Sequence, residues 1–214
     1  MRWTLRNEWL PLLLVGACWG VAAYYWPQLP EQVPTHWGMA GDPDQWAPRA
    51  TGALIGPVMG TFFYALVWAL PVLDPRGRHL AESPQVLEII RSILCAFALF
   101  LTYLTLSASV TPGQHLPLSG MMVGLGILFV VLGNYLPKVR SNFFIGIRTP
   151  WTLSSEEVWY RTHRLGGKLM VAAGAITILG ACLPQPWSLA VFLGAVGIAA
   201  LLPVFYSYWL FKRA

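Results

Sequence analysis

Long apolar stretches separated by polar connections make up most of this chain. A helix needs about 20 mostly apolar residues to span the hydrocarbon core of a bilayer, and six stretches meet or approach that length. They cover residues 9–26, 53–73, 92–110, 118–136, 168–183 and 187–211. The fifth stretch is the shortest, and its helix can begin before residue 168. The pattern predicts an all-α, polytopic membrane protein with six transmembrane helices, forming one integral membrane domain over residues 1–214.

Composition and charge agree with this pattern. The chain is 56% hydrophobic and 11% charged, against roughly 25% charged residues in a soluble domain. Of its 14 Lys and Arg residues, only Arg49 lies in a connection predicted to face outward. Because cytoplasmic loops are enriched in Lys and Arg, we expect both termini and the loop 137–168 in the cytoplasm and the loop 28–52 outside. The basic residues are spread over many connections, as orientation alone requires, so direct binding of nucleic acid is not expected.

Metal, cofactor and covalent chemistry find little support in the sequence. The three cysteines lie inside apolar stretches, and no CxxC pair occurs. One histidine and two carboxylates, His36, Asp42 and Asp44, share a loop, but a structural zinc site almost always needs four converging ligands. The sequence also contains no nucleophile elbow, HExxH motif or nucleotide-binding loop. We therefore expect no cofactor, no metal and no catalytic residue.

The predicted outer loop, residues 28–52, contains four prolines that exclude a long helix and glycines that favour tight turns. Its two tryptophans suit a loop that lies at the membrane interface. The loop is either a recognition surface for an amphipathic peptide or a lipid headgroup, or a compact cap over the helix ends. The candidate recognition residues are His36, Trp37, Asp42, Asp44 and Trp46.

The predicted inner loop, residues 137–168, contains a signal for the start of a helix. In the run Ser154-Ser155-Glu156-Glu157, the Ser154 hydroxyl is expected to cap the helix while Glu157 reaches back, as in a capping box. A short cytoplasmic helix should follow to about residue 164, with Glu157 and Arg161 paired across one turn. Its apolar side lets this helix lie along the membrane surface.

Arginines make the same loop a candidate for anion binding. Pro150 favours an extended conformation around residues 147–152, and Arg148 supplies a planar donor fork suited to phosphate or carboxylate. The alternative is that the basic residues anchor helix ends at the anionic inner leaflet. The candidate signalling and anion-binding residues are Asn134, Lys138, Arg140, Asn142, Arg148, Thr149, Trp151, Trp159, His163 and Arg164. By contrast, residues 76–79 are expected to form a solvated linker.

Two segments of the chain resemble the SdpI family of bacterial membrane proteins, named for immunity to a sporulation-delaying peptide toxin. The first segment runs from Gly133-Asn134-Tyr135-Leu136-Pro137-Lys138 through Gly146-Ile147-Arg148-Thr149-Pro150-Trp151-Thr152 to Trp159 and Thr162-His163-Arg164. The second comprises Leu29-Pro30, Val33-Pro34, His36-Trp37-Gly38, Gly41-Asp42-Pro43-Asp44 and Trp46. This second pattern resembles a domain of unknown function often found at the start of such proteins.

The resemblance implies a non-enzymatic protein of the bacterial cell membrane with a toxin-immunity or signalling role. Its implied partners are membrane lipids, an extracellular peptide toxin and a cytoplasmic repressor held at the membrane. Two other function classes stay open: a transporter of a neutral solute or lipid, and an enzyme acting on a phosphorylated lipid with His163 as general base and Glu156 or Glu157 as its partner. Coupling to protons would need an ionisable residue in the middle of a predicted helix, and none occurs there.

Overall fold

The computed structural model describes the backbone of residues 5–213 and the side chains of residues 8–77 and 79–213. Eight α-helices and one two-stranded sheet make up this part of the chain. The helices are α1 (Leu5–Tyr25), α2 (Arg49–Leu73), α3 (Gly77–Ala81), α4 (Pro84–Val110), α5 (Leu118–Tyr135), α6 (Pro150–Ser154), α7 (Glu156–Gly180) and α8 (Trp187–Phe211). The strands β1 (Gln32–Trp37) and β2 (Pro43–Pro48) lie between α1 and α2.

Five of the described helices, α1, α2, α4, α5 and α8, are long and apolar enough to cross a membrane. The predicted mainly helical, polytopic membrane architecture is confirmed at this level. The fifth predicted stretch differs from the others because its helix, α7, carries charged residues along its first half. The count of six transmembrane helices and the cytoplasmic position of both termini stay predictions.

Contacts divide the described chain into two compact units. The hairpin unit comprises residues 5–66 and 91–124, and the signature unit comprises residues 67–90 and 125–213. Helices α2, α4 and α5 each contribute residues to both units. The hairpin unit contains the predicted outer loop, and the signature unit contains the predicted inner loop.

A β-hairpin occupies the outer loop, where the sequence predicted only turns. Strands β1 and β2 pair antiparallel, with Val33 opposite Ala47 and Pro34 opposite Trp46. Prolines are tolerated because each strand of a two-stranded sheet has one edge without ladder partners. Gly41, at a φ of 87°, forms part of the turn between the strands, a conformation that glycine adopts without a steric penalty. The absence of a long helix here agrees with the prediction, whereas the two strands were not predicted.

The hairpin packs against the helices of its own unit. Val33 of β1 is buried in an apolar core with Ala22, Leu29, Ala53 and Leu106. Helix α2 approaches β1 so closely that a Cβ on Gly52 would lie 2.6 Å from the Cβ of Val33. The strand is thus seated on a helix through a glycine, which fixes the position of the whole hairpin.

A buried ion pair joins two helices of the hairpin unit. Nη2 of Arg91 in α4 lies 2.6 Å from Oε1 of Glu8 in α1, and the two side chains are only 3% and 8% exposed. The guanidinium carbon of Arg91 also lies 5.6 Å from the centroid of the Tyr64 ring in α2. The sequence pattern placed Arg91 directly before the apolar stretch 92–110, in residues 87–91 that begin the helix, whereas α4 begins at Pro84 and contains Arg91 in its third turn. The pair is therefore a feature that sequence reasoning missed.

The central element of the signature unit is α7, which runs without interruption from Glu156 to Gly180. The predicted short interfacial helix and the fifth apolar stretch are therefore one helix, which begins well before residue 168. The predicted pair between Glu157 and Arg161 is present on its exposed side. This pair lies one turn apart on the helix, in the orientation that favours opposite charges.

The cap of α7 lies one residue later than predicted. The Ser155 hydroxyl, and not that of Ser154, accepts the Val158 N–H at 3.4 Å. The Ser154 hydroxyl instead donates to the Trp151 carbonyl at 3.1 Å, within the preceding helix α6. The prediction failed because it did not foresee a separate helix that ends at Ser154.

Two pairs of glycines bring α5 and α7 into backbone contact. A Cβ on Gly133 would lie 2.8 Å from the Gly167 carbonyl oxygen, and a Cβ on Gly174 would lie 2.5 Å from the Gly126 carbonyl oxygen. Seven residues separate the two glycines on each helix, so the contacts recur on one face after about two turns. Close approach through small residues is a common mode of helix packing in membranes.

Candidate functional site

The loop between α5 and α6 folds around the side chain of Asn142, which is fully buried. Its Nδ2 donates to the carbonyls of Arg140 and Ile145 at 2.8 and 3.0 Å. Its Oδ1 accepts from the N–H groups of Phe144 and Ile145 at 2.8 and 2.6 Å. One amide thus satisfies four backbone groups and holds residues 140–145 in a fixed turn.

His163 of α7 packs against this loop and is fully buried. Its Nε2 accepts the Ile147 N–H at 3.0 Å, and its Nδ1 donates to the Trp159 carbonyl at 2.8 Å, which assigns the proton to Nδ1. Gly146, at a φ of 119°, covers the ring so closely that a Cβ would lie 2.3 Å from Nε2. Because both ring nitrogens are bonded and the ring is covered, His163 positions the loop and does not present a base to a substrate.

The burial of His163 also sets its charge. Burial lowers the pKa of His163 from 6.5 to about 4, and the bond to the Trp159 carbonyl offsets part of this change. The imidazole is therefore neutral at pH 7, as an acceptor for the Ile147 N–H must be. The Trp159 ring stacks on the imidazole with 3.9 Å between centroids, and the indole N–H donates to the Val139 carbonyl at 2.9 Å. The tryptophan thereby ties the start of the loop to the same helix.

Thr149 begins the short helix α6. The Thr149 hydroxyl accepts the Thr152 N–H at 3.1 Å, and the Thr149 N–H donates to the Thr152 hydroxyl at 2.9 Å, which completes a capping box. The prediction of an extended segment to residue 152 is therefore wrong, because Pro150 occupies a first-turn position where no N–H is needed. The Thr149 hydroxyl also lies 3.1 Å from the Ser207 hydroxyl of α8. This contact joins the loop to the last helix.

The segment from the end of α2 into α3 is bonded to the same loop, so the prediction that residues 76–79 form a solvated linker is wrong. Nη1 of Arg76 donates to the Ser141 hydroxyl at 2.5 Å, and Nδ1 of His79 lies 2.8 Å from the Ser141 carbonyl oxygen. The buried carboxylate of Asp74 accepts the Phe143 N–H at 2.8 Å. These contacts join residues more than 60 positions apart in the chain, and no local sequence pattern marks them.

Arginines lie on the exposed side of the loop. Nη1 of Arg148 donates to the Phe143 carbonyl at 2.6 Å, and the residue as a whole is exposed. Arg140 is paired with Glu82, and both side chains are more than half exposed. Each guanidinium is therefore held by one contact within the signature unit and retains further donors for a partner.

Three other predicted residues rest against aromatic rings of their own unit. They are Arg164 with Tyr160, Lys138 with Tyr135, and Trp151 with Tyr208, at 5.5, 4.2 and 4.9 Å. Asn134 lies exposed near the end of α5. The ten predicted inner residues thus separate into a buried set that shapes the loop, Asn142, Thr149, Trp159 and His163, and a more exposed set around it.

Two aspartates near the turn of the hairpin are each paired with a histidine, one from β1 and one from the connection between α4 and α5. Nδ1 of His36 lies 2.6 Å from Oδ1 of Asp44, and Nδ1 of His115 lies 2.8 Å from Oδ1 of Asp42. All four side chains are about half exposed or more. Within the described part of the chain, no three His, Cys, Asp or Glu side chains are grouped in a way that suits a metal ion.

The two tryptophans of the hairpin differ in their surroundings. The indole N–H of Trp37 donates to the Gln114 carbonyl at 2.8 Å in a half-buried position, whereas Trp46 is 50% exposed. The Leu116 N–H donates to the Gly41 carbonyl at 2.9 Å. The turn of the hairpin is thus bonded to the connection between α4 and α5. Sequence reasoning missed His115, although a polar residue between two apolar stretches is a signal that could have found it.

The two predicted loops correspond to regions shared with known proteins. Residues 138–207 match the model of the SdpI/YfhL protein family, and residues 13–61 match a domain of unknown function, DUF1648. The chain is 22% identical over 209 residues to "Immunity protein SdpI" of Bacillus subtilis (strain 168), and the match covers 98% of each chain. No solved structure matches the chain. The resemblance drawn from the two sequence segments is confirmed.

Proposed function

Since the chain carries an SdpI/YfhL family region behind a DUF1648 domain, we propose that it is a non-enzymatic immunity protein of the bacterial cell membrane, which protects the cell against a membrane-active peptide. The observation that carries this proposal is the similarity to a protein named for immunity over 98% of both chains. A match of that extent includes the hairpin as well as the inner loop. Both therefore have a place in the proposed function.

The hairpin and the inner loop take different parts in this proposal. The hairpin, facing outward as the distribution of Lys and Arg predicts, meets the peptide. The inner loop presents Arg140, Arg148 and Arg164 around a core that is fixed by buried hydrogen bonds. Donors held in place in this way suit the carboxylates of an acidic partner, because less side-chain freedom is lost on binding. The partner is a cytoplasmic regulator, and the anionic inner leaflet is the competing surface.

Protection itself is tested by expressing the protein in a bacterium that is sensitive to membrane-active peptides. Cells with the protein and cells with an empty vector are challenged with a panel of such peptides, and survival is counted. We expect increased survival against one peptide or a few related ones, at equal growth without peptide. Equal survival against the whole panel, with the protein shown to be present in the membrane, would contradict the immunity function.

The part played by the inner loop is tested at Arg148. Lysine keeps the positive charge but loses the planar fork of donors, so Arg148→Lys separates specific recognition from membrane anchoring. We expect Arg148→Lys to reduce protection nearly as much as Arg148→Ala. Arg161→Lys is the matched control, because Arg161 is an exposed arginine that is already paired with Glu157. Full protection by both Arg148 variants, at normal abundance, would show that the loop takes no part through this residue.

Transport is the second candidate, and the buried pair of Glu8 and Arg91 is the observation that favours it. Ionisable groups buried among membrane helices often mark a path for ions or substrates. An exporter would lower the amount of a fluorescent peptide associated with protected cells, whereas protection by binding alone would not lower it. At unchanged abundance in the membrane, the charge-removing variant Glu8→Gln should abolish this difference if the protein is an exporter.

A further inference from the structure

A cavity of about 320 Å³ lies beneath strand β1 in the hairpin unit. His36 and Trp37 of β1 form part of its roof, and Ile55, Met59 and Thr105 contribute to its walls from α2 and α4. Ligand sites are typically clefts of about 300–1,000 Å³ with apolar walls and a few polar groups. This cavity is at the lower end of that range, so it suits one bulky apolar group and not a whole molecule of peptide size.

The cavity is lined by one tight contact between helices and by two flexible methionine side chains. Gly56 of α2 lies against Thr102 of α4 so closely that a Cβ on Gly56 would be 2.1 Å from the threonine Oγ1. The two helices therefore cannot close further and fill the space. Met59 and Met121 line the sides, and the unbranched thioether side chain of methionine adapts to apolar groups of different shape.

The loop that contributes strand β1 to the cavity is the acidic part of a basic protein. The chain carries a formal net charge of +5, yet residues 28–52 contain Glu31, Asp42 and Asp44 against a single Arg49. The Asp44 carboxylate is bonded to His36, which also lines the cavity. Carboxylates around an apolar opening attract a cationic partner and raise its rate of association.

We propose that this cavity receives one bulky apolar side chain of a cationic amphipathic peptide, whose basic residues face the carboxylates of Asp42 and Asp44. This rests on the proposed function and names the surface of the hairpin unit that recognises the peptide. Peptides of this chemistry lie in the membrane interface with apolar residues on one side and Lys or Arg on the other. Trp46 of the hairpin is exposed and Trp37 is half-buried. Because tryptophan is enriched at the membrane–water interface, both suit a hairpin that meets the peptide at that interface.

The experiment uses the full chain in lipid nanodiscs and a synthetic amphipathic helix of Leu and Lys, in which one Leu is replaced by photoreactive leucine. Its dissociation constant is measured by titration, and the crosslinked residues are located by mass spectrometry. We expect crosslinks at Met59 and Met121 after illumination. The variant Thr105→Phe should weaken binding by about tenfold or more, because the phenyl ring occupies the cavity. The Thr105 hydroxyl donates only within its own helix, so the substitution removes no bond between elements.

Ser107→Phe is the matched control for Thr105→Phe. Residue 107 belongs to the same helix but points about 200° away from residue 105, and its hydroxyl also donates within α4. It should bind the probe like the wild type. Asp44→Asn should slow association and reduce its dependence on salt, without changing the crosslinked residues.

In this binding experiment, any of three results would overturn the proposal: equal dissociation constants for the wild type and Thr105→Phe, crosslinks from the peptide to residues outside the cavity, or crosslinks from the peptide to nanodisc lipid alone. The crosslinking map of the wild type decides the matter even if Thr105→Phe does not fold. Binding is measured without cells, so an absence of protection in the survival assay leaves this result intact. Conversely, full protection by Thr105→Phe would exclude the cavity while the immunity function stands.

Discussion

Acidification should loosen the inner loop through one residue, His163. The neutral imidazole accepts the Ile147 N–H at its Nε2, and a proton on that nitrogen removes the acceptor. The pKa of His163 is about 4 in the folded protein against 6.5 ordinarily, because the charged form is poorly solvated where it is buried. The folded state thus binds fewer protons than the open state between these values. The stabilisation of the closed loop by neutral His163 is therefore fully present above pH 6.5, and it is lost as the pH falls toward 4.

The size of the effect follows from the same pKa values. A shift of one unit corresponds to about 1.4 kcal/mol, so the full loss well below pH 4 is about 3 kcal/mol, and at pH 5 it is already about 2 kcal/mol. At pH 7.5 the loss is close to zero. Moving from pH 7.5 to pH 5 should therefore raise the population of the open loop about thirtyfold.

Hydrogen exchange read by mass spectrometry measures this opening directly. Protection factors for peptides covering residues 143–149, corrected for the intrinsic effect of pH on exchange, should fall about thirtyfold in the wild type. His163→Gln removes the titrating group and should make protection nearly independent of pH over this range, whatever its absolute level. His36→Gln, at an exposed histidine of the hairpin unit, is the control and should behave like the wild type. Equal pH dependence in the wild type and His163→Gln would refute the reasoning.

Three further predictions concern topology, helix packing and the hairpin. Single cysteines placed at Gln45 and Ser155 in a cysteine-free variant should label from opposite sides of the membrane, and labelling from one side would exclude the predicted orientation. Gly133→Ala should lower the midpoint of thermal unfolding, because the added Cβ meets backbone atoms of α7. Overpacking of this kind costs about 1–3 kcal/mol. The control Gly194→Ala should leave the midpoint unchanged, because a Cβ at that position has nothing within 4 Å. Trp37→Phe keeps an apolar ring but loses the indole donor to the Gln114 carbonyl, so it should lower the free energy of unfolding by about 1 kcal/mol. An unchanged midpoint of thermal unfolding would show that this hydrogen bond does not stabilise the fold.

The sequence by itself determined the features that are encoded locally. Apolar stretches of spanning length predicted the polytopic helical architecture, because the bilayer demands length and hydrophobicity of each helix separately. The helix start near Ser155 and the pair of Glu157 and Arg161 were also foreseen, to within one residue, since both depend on spacing along one helix. The family motifs located the two loops that carry the candidate sites.

The tertiary structure alone decided what those loops contain. Arg76 meets Ser141 across 65 residues of chain, and Glu8 meets Arg91 across 83, so neither partner leaves a mark in the sequence around the other. Burial also changes what a residue can do: in the sequence His163 was a candidate base, while in the fold it is a neutral, fully bonded support for the loop. Pairing and burial arise from contacts between distant segments, and a local pattern specifies neither of them.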